Sequence, residues 1–261
     1  HPAPWTSLEI RPMIKHYRIH EVSGYIDWIY FFHAWGFSPR KTQTPEAMQL
    51  LQEAKEMLEQ LDKNFQTHAV LRLMDANSEE NDIWIERTRF PFLRQQTAKE
   101  EEPYLCLSDF IRPSSSKIKD KIGLFATTVD AEMEQLYTED PYLHMLVKTL
   151  ADRLAEATAE KTHDAIRKEF QGIRPAVGYP SLPDQSVNFL LNELLDMKRI
   201  GIHLTENGMM QPHASVSGLI FTHPASRYFS VGKIDEQQLK DYAIRRGLPI
   251  GQMRKFLARN L

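Results

Sequence analysis

Residues 172–184 hold three prolines, two glycines, Arg174 and Tyr179 between two strongly helical segments. Proline fixes φ and removes a backbone donor, while glycine permits positive φ and close backbone approach. A loop punctuated in this way is stiff, and it can hold a guanidinium and a phenol at set positions. The planar fork of an arginine suits a carboxylate or a phosphate. Taken alone, the stretch reads first as a proline-rich connector with an arginine on its surface. A second unusual placement is Asp27, which stands inside the aromatic segment 24–35. A carboxylate among aromatic rings must be hydrogen-bonded, paired or held at a site, unless it lies on the wet side of a helix.

Other chemistry is missing. No glycine-rich dinucleotide fingerprint or phosphate-binding loop occurs, and no pair of histidines has helical metal-ligand spacing beside a glutamate. Ser215 and Ser217 lack the context of an activated nucleophile. The sequence therefore does not advertise an enzyme with its own acid, base, nucleophile or metal. With 32 basic and 35 acidic residues, no global field favours nucleic acid or an anionic membrane. No apolar run approaches the roughly 18 residues of a membrane span. The single cysteine, Cys106, cannot form an intramolecular disulfide, which fits a reducing cytoplasm.

The elements that must position these residues follow from periodicity. At 261 residues, 42% of them hydrophobic, the chain can bury a substantial core. Thr44-Pro45-Glu46 starts a helix whose apolar stripe is Met48, Leu51, Ala54, Leu58 and Leu61. Residues 70–74 and 83–85 read as strands around a polar tip at 75–82. Leu105-Cys106-Leu107 and residues 122–126 read as further buried strands, with a loop at 114–116. Asp140-Pro141 opens the longest helix, expected to run to about Phe170, with Glu156 off the centre of its apolar stripe. The charged run through Lys161, Asp164, Arg167, Lys168 and Glu169 reads as a solvated face. Asp184 is expected to cap a short helix. Two strands, 214–221 and 227–231, follow, and then a helix capped by Asp235 and ended by Gly247 and Pro249. Strands are clustered rather than alternating regularly with helices, so the fold class is α+β with a mainly antiparallel sheet.

Several of these segments occur together in one known family. They are Tyr25-Ile26-Asp27-Trp28 with Phe31-Phe32, Leu93-Arg94-Gln95-Gln96-Thr97, and Cys106-Leu107-Ser108-Asp109-Phe110. They continue with Ala151-Asp152-Arg153-Leu154-Ala155-Glu156-Ala157, Gly172-Ile173-Arg174-Pro175-Ala176-Val177-Gly178-Tyr179-Pro180, and Leu204-Thr205-Glu206. Ala214-Ser215-Val216-Ser217-Gly218 and Ser226-Arg227-Tyr228-Phe229 complete the set. In this order they resemble the reactivation domain of cobalamin-dependent methionine synthase over nearly the whole chain. Residues 207–213 depart from that pattern, which has larger aromatics and a glycine there, and Leu182 stands where a cysteine is common.

The resemblance implies one C-shaped α+β domain over residues 1–261, with 1–20 as an N-terminal lead-in and a central, mainly antiparallel twisted sheet flanked by helices. It implies that S-adenosylmethionine (AdoMet) binds in a shallow groove of the inner face. Carried over residue by residue, the ligand contacts are Asp27, Arg174, Tyr228 and Phe229, with Glu156, Ala176 and Tyr179 as additional ones. The chemistry agrees. Asp27 can take the ammonium of AdoMet, and Arg174 can hold its carboxylate through charge-assisted hydrogen bonds worth about 1.5–3 kcal/mol each. Tyr179, Tyr228 or Phe229 can face the sulfonium, at roughly 0.5–2 kcal/mol. Backbone groups around Ala176 can read adenine or ribose. The family function implied is presentation of the AdoMet methyl group to cob(I)alamin, which restores an oxidised methionine synthase in methionine biosynthesis. Cobalamin would come from another domain or protein, and one electron from a flavodoxin-type reductant. The chain would then be a methyltransferase component, either a piece of a longer synthase or its free-standing partner, with neither nucleic acid nor membrane as a partner. The alternative is a non-catalytic docking module for a corrinoid protein or flavodoxin that no longer binds AdoMet.

Overall fold

The computed structural model describes residues 11–167 and 170–261, so Lys168 and Glu169 of the charged run lie outside the described residues, as do 1–10 of the expected lead-in. The strands are β1 (Met13–Arg18), β2 (Gln66–Glu79), β3 (Asp82–Ile85), β4 (Thr88–Pro91), β5 (Asp120–Val129), β6 (His203–Leu204), β7 (Met210–Gln211) and β8 (Ser215–Phe221). The helices are α1 (Ile19–Ser23), α2 (Trp28–Ala34), α3 (Pro45–Leu61), α4 (Pro141–Asp164), α5 (Val187–Leu195), α6 (Glu236–Arg246) and α7 (Ile250–Phe256). The main sheet runs β4-β3-β2-β5-β8, and every pairing in it is antiparallel. The long β2 serves two partners along one side. Its first half pairs with β1, from Leu71 opposite Met13 to Gln66 opposite Arg18, and its end pairs with β3. Part of the expected lead-in is therefore a sheet strand. No helix among the described residues is long and apolar enough to cross a membrane.

Both faces of the sheet are buried, and the period of two sorts the side chains between them. Leu71, Leu73, Phe125, Val216 and Ile220 meet Ala155 and Ala159 of α4 on one face. Val70, Met74, Ile122, Leu124, Leu219 and Phe221 meet Val187, Leu191 and Leu195 of α5 on the other. Small residues let α4 approach closely. Thr158 reaches Thr67 of β2 at 2.8 Å, and the Thr127 hydroxyl donates to the Ala155 carbonyl at 2.8 Å. Helices α1, α2 and α3 pack on the first half of α4, and α6 with α7 forms a smaller core around Leu239, Tyr242 and Met253.

The antiparallel α+β fold agrees with expectation, as do the helix starts at Thr44, Asp140 and Asp235, whose side chains accept from backbone N–H groups of the first turn. Other expectations need correction. The stripe of α3 is turned, with Leu50 and Met57 buried and Met48 exposed, because two apolar diagonals share Ala54, Leu58 and Leu61 and packing chooses one. The polar stretch after Asp75 is not a loop. Strand β2 continues to Glu79, since the buried side chains of Asn77 and Ser78 find backbone acceptors at Ile118, Arg112 and Ile111. Leu105-Cys106-Leu107 is not a strand but the lead into a short 3-10 turn, with the Asp109 carboxylate accepting from Cys106 N–H.

Asp184 does not cap α5, because a stronger partner claims it. It is buried and accepts from Ser186, from the Tyr242 hydroxyl at 2.6 Å and from Arg246 Nε at 3.2 Å. Helix α4 ends at Asp164, short of Phe170, and residues 173–177 turn onto the edge of β8. There Phe221 N–H donates to the Ile173 carbonyl at 2.8 Å, Leu219 N–H to Pro175 at 3.0 Å, and Val177 N–H to Ser217 at 2.8 Å. That edge is thereby used up, so residues 227–231 cannot join it and are not a strand. They run irregularly, tied by Val231 N–H to the Pro180 carbonyl at 2.9 Å.

The pairing needs bare backbone. A Cβ on Gly218 would lie 2.2 Å from the Pro175 oxygen, and one on Gly172 would lie 2.1 Å from the Phe221 oxygen. Gly218→Ala is expected to cost about 1–3 kcal/mol, read as a lower urea midpoint. Gly251→Ala on α7, where a methyl meets nothing within 4 Å, is the matched control and should be neutral or stabilising. Equal midpoints for both variants would show that the edge pairing yields freely.

Candidate functional site

The edge pairing sets Arg174 and Tyr179 in place. Alternation along residues 173–177 buries Ile173 in the α5-side core and Ala176 in the α4-side core, where Ala176 bridges Gly218. The chain then turns tightly. Gly178 takes φ +95°, Gly178 N–H donates to the Leu182 carbonyl, and Leu182 N–H donates back to Tyr179. Only glycine adopts such a φ without strain. The turn points Tyr179 at α4, where its hydroxyl lies 3.3 Å from Glu156 Oε1 and 3.4 Å from Oε2.

Arg174 extends over the Phe125 ring of β5, with Cζ 5.5 Å from the ring centroid. Its Nη2 donates to Glu160 Oε2 at 2.9 Å, and the side chain is only 11% exposed. Its Nε and Nη1 are buried and have no acceptor. The Arg174 backbone N–H donates to the Tyr228 hydroxyl at 2.9 Å. The other oxygen of Glu160 pairs with Arg167 in a short contact. Glu156 and Glu160 are four residues apart on α4 and so share one face. Arg174, Tyr179, Tyr228, Glu156 and Glu160 thus form one connected surface, with Ala176 beneath it.

Two expected residues stand apart from that surface. Asp27 is exposed and caps α2, accepting from Ile29 N–H at 3.0 Å. Its flanking residues reach α4, since the Tyr25 hydroxyl donates to Asp164 at 3.2 Å and the Arg153 guanidinium lies over the Tyr30 ring at 5.5 Å. Asp27 therefore neighbours the same helix, but no hydrogen bond joins it to Arg174 or Tyr228. Phe229 follows Tyr228 but its ring turns the other way, packing on Phe110 with centroids 6.3 Å apart. The α4 residue Glu160, its second partner Arg167, and Phe125 were not singled out from the sequence as parts of the site. The four-residue spacing from Glu156 is the one sequence signal that marks Glu160.

The electrostatics are mixed in sign. Burial raises the Tyr179 pKa well above the usual phenol range, and the Glu156 charge adds to it, so the phenol stays protonated and donates. Burial also works to raise the Glu160 pKa, but the hydrogen bond from Arg167 and the charge of Arg174 outweigh it and hold the carboxyl below its usual range. A surface with two carboxylates, a buried guanidinium and a neutral phenol suits a zwitterion. Among the described residues no three His, Cys, Asp or Glu side chains gather to hold a metal. Two open surface hollows of about 460 and 310 Å³ are lined by other residues, including Ser78, Ser108 and Asp109 in one and Asn81 and Gln238 in the other.

Two comparisons bear on this arrangement. The family described as vitamin B12 dependent methionine synthase, activation domain, matches residues 18–247. The crystal structure of the MetH reactivation domain bound to AdoHcy (S-adenosylhomocysteine) is similar at a TM-score of 0.89 with 34% identity. The match covers 100% of this chain and 95% of that one.

Behind Arg174, His163 is buried, with Nε2 3.3 Å from the Phe170 carbonyl. Burial lowers its pKa from 6.5; the Phe170 hydrogen bond opposes the shift, and the charges of Arg174 and Arg167 add to it. The folded imidazole thus takes a proton less readily than the unfolded one. Its stabilising effect is full above about pH 6.5 and is lost as pH falls through that range toward the folded pKa. Urea midpoints should therefore drop from about pH 7.5 to about pH 5.5, and drop less in His163→Gln. The same drop in both proteins would remove His163 from the account.

Proposed function

The chain belongs to the activation-domain family of vitamin B12-dependent methionine synthase, and from that membership we propose that it binds AdoMet and presents the sulfonium methyl group to a cobalamin carried elsewhere. The observation that carries this reading is Arg174. A guanidinium set against Phe125 keeps two donor nitrogens, Nε and Nη1, without an acceptor, in a chain whose 34% identical relative was crystallised with AdoHcy. Unpaired buried donors are costly, and a carboxylate is the partner that a planar fork fits best.

In this reading Arg174 takes the carboxylate of AdoMet. Tyr179, held protonated beside Glu156, offers a hydrogen bond and a ring face, and Tyr228 frames the other side. The backbone around Ala176 lies on the sheet edge and is available to the adenosine. Asp27 takes the ammonium from the α2 side, and Phe229 contributes through its backbone, since its ring is committed to Phe110. The cobalamin of a partner domain supplies the nucleophile that accepts the methyl group, and the electron needed to reduce it comes from a flavodoxin-type donor. None of this asks the chain for an acid or a base. The sulfonium is already a good leaving group, so holding it in line is the whole task, and orientation can supply several kcal/mol of a barrier.

Calorimetry with AdoMet tests the assignment. Arg174→Leu, which keeps apolar contact with Phe125, should weaken AdoMet binding by tenfold or more, as expected for about 1.5–3 kcal/mol of charge-assisted bonding. Full retention of affinity, with the fold intact by circular dichroism, would sink it. Complex formation with a cobalamin domain that ignores AdoMet would favour the docking-module reading.

A further inference from the structure

Glu160 occupies the guanidinium that the proposed ligand needs. Its Oε2 takes the Nη2 donor of Arg174 at 2.9 Å, in the same way that a substrate carboxylate would. Its other oxygen is held by Arg167, whose side chain is 48% exposed, whereas Arg174 is nearly covered. Glu160 is thus shared between an outer and an inner arginine. Arg174 does not depend on Glu160 for its place, because the Phe125 ring lies against its guanidinium and its backbone is locked to Tyr228 and the β8 edge.

We infer that Glu160 is a built-in stand-in for the ligand carboxylate, and that Arg167 is the receiver to which it passes when AdoMet binds. This deepens the reading above and rests on it. An incoming carboxylate displaces Oε2 from Arg174, and Glu160 stays charged and turns its freed oxygen to Arg167 as well, so that its pair with Arg167 is stronger with ligand bound than without. The exchange trades one carboxylate on Arg174 for another, so Glu160 lowers affinity without touching the ligand. Arg167 offsets part of that loss by stabilising the displaced position. The device keeps the buried guanidinium from standing fully unpaired between ligands, which a low-dielectric site penalises.

The coupling has opposite signs at the two residues, and this makes it testable by a double-mutant cycle in calorimetry. Glu160→Gln should tighten AdoMet about three- to fivefold, the size expected of a partly exposed ion pair. Arg167→Gln should weaken it by a similar factor, and should have no effect when Glu160 is already glutamine. 5′-Methylthioadenosine, which keeps the adenosine but has no carboxylate, should bind Glu160→Gln and the unmodified chain alike. Weaker or unchanged AdoMet binding by Glu160→Gln would overturn the inference and make Glu160 a support for Arg174. Equal tightening of 5′-methylthioadenosine would overturn it as well, since the effect would not act at the carboxylate. Failure of the unmodified chain to bind AdoMet at all would instead overturn the functional reading on which it rests.

Discussion

Residues 173–177 lie on the edge of β8 at backbone contact distance, and that approach tolerates no side chain at Gly172 or Gly218. The rest of the candidate site depends on this pairing. It converts an irregular proline-rich stretch into an added strand with a defined register, so alternate residues face alternate cores. Ile173 and Ala176 anchor the segment on the two sides of the sheet. With those anchors in place, Arg174 reaches Phe125 and Tyr179 reaches Glu156 without either side chain having to search for its position. The occupied edge also explains why Tyr228 and Phe229 sit on an irregular crossing segment, bonded to the loop rather than to the sheet.

Helix α4 is the second wall, and its composition divides along its length. Leucines and valine in the first half pack against α1, α2 and α3, whereas alanines and threonines in the second half bring it down onto β2 and β5. Close approach places Glu156 and Glu160 beside the added strand. It also makes α4 the element common to every part of the surface, because Tyr25 and Tyr30 around Asp27 touch the same helix. The buried group of Asp184, Ser186, Tyr242 and Arg246 ties the end of the loop to α6. The loop is therefore held at both ends, by sheet pairing and by an ion pair.

In the proposed reading a site made this way binds and orients, and that reading asks none of its described side chains to take or give a proton. That is the economy expected where the leaving group and the nucleophile both come with the reactants. In that reading the protein contributes charge complementarity to a zwitterion and a rigid backbone. Arg174, proposed to hold one end of that zwitterion, is already nearly covered, and Glu160 pairs with it.

Much of this was legible in the sequence. Capping at Thr44, Asp140 and Asp235, the apolar periods of the strands, and the glycine and proline spacing of 172–184 are local patterns, and local physics decides them. Arg174 and Tyr179 were recognisable because a stiff loop advertises the residues it presents. Partner choice was not legible. Asp184 has the spacing of a helix cap but lies beside Arg246, which lies 62 residues further on. The segment 227–231 has strand-like residues, but another segment holds the edge it would need. Glu160, next to the charged run, is marked in the sequence only by its spacing from Glu156 until α4 meets the loop. The sequence by itself determined most of the elements, the caps at Thr44, Asp140 and Asp235 and the stiffness of the loop, because each depends on neighbours a few residues away. Only the tertiary structure decided which edge is paired, which carboxylate meets which arginine and which ring turns inward, because those outcomes are competitions between groups distant in the chain.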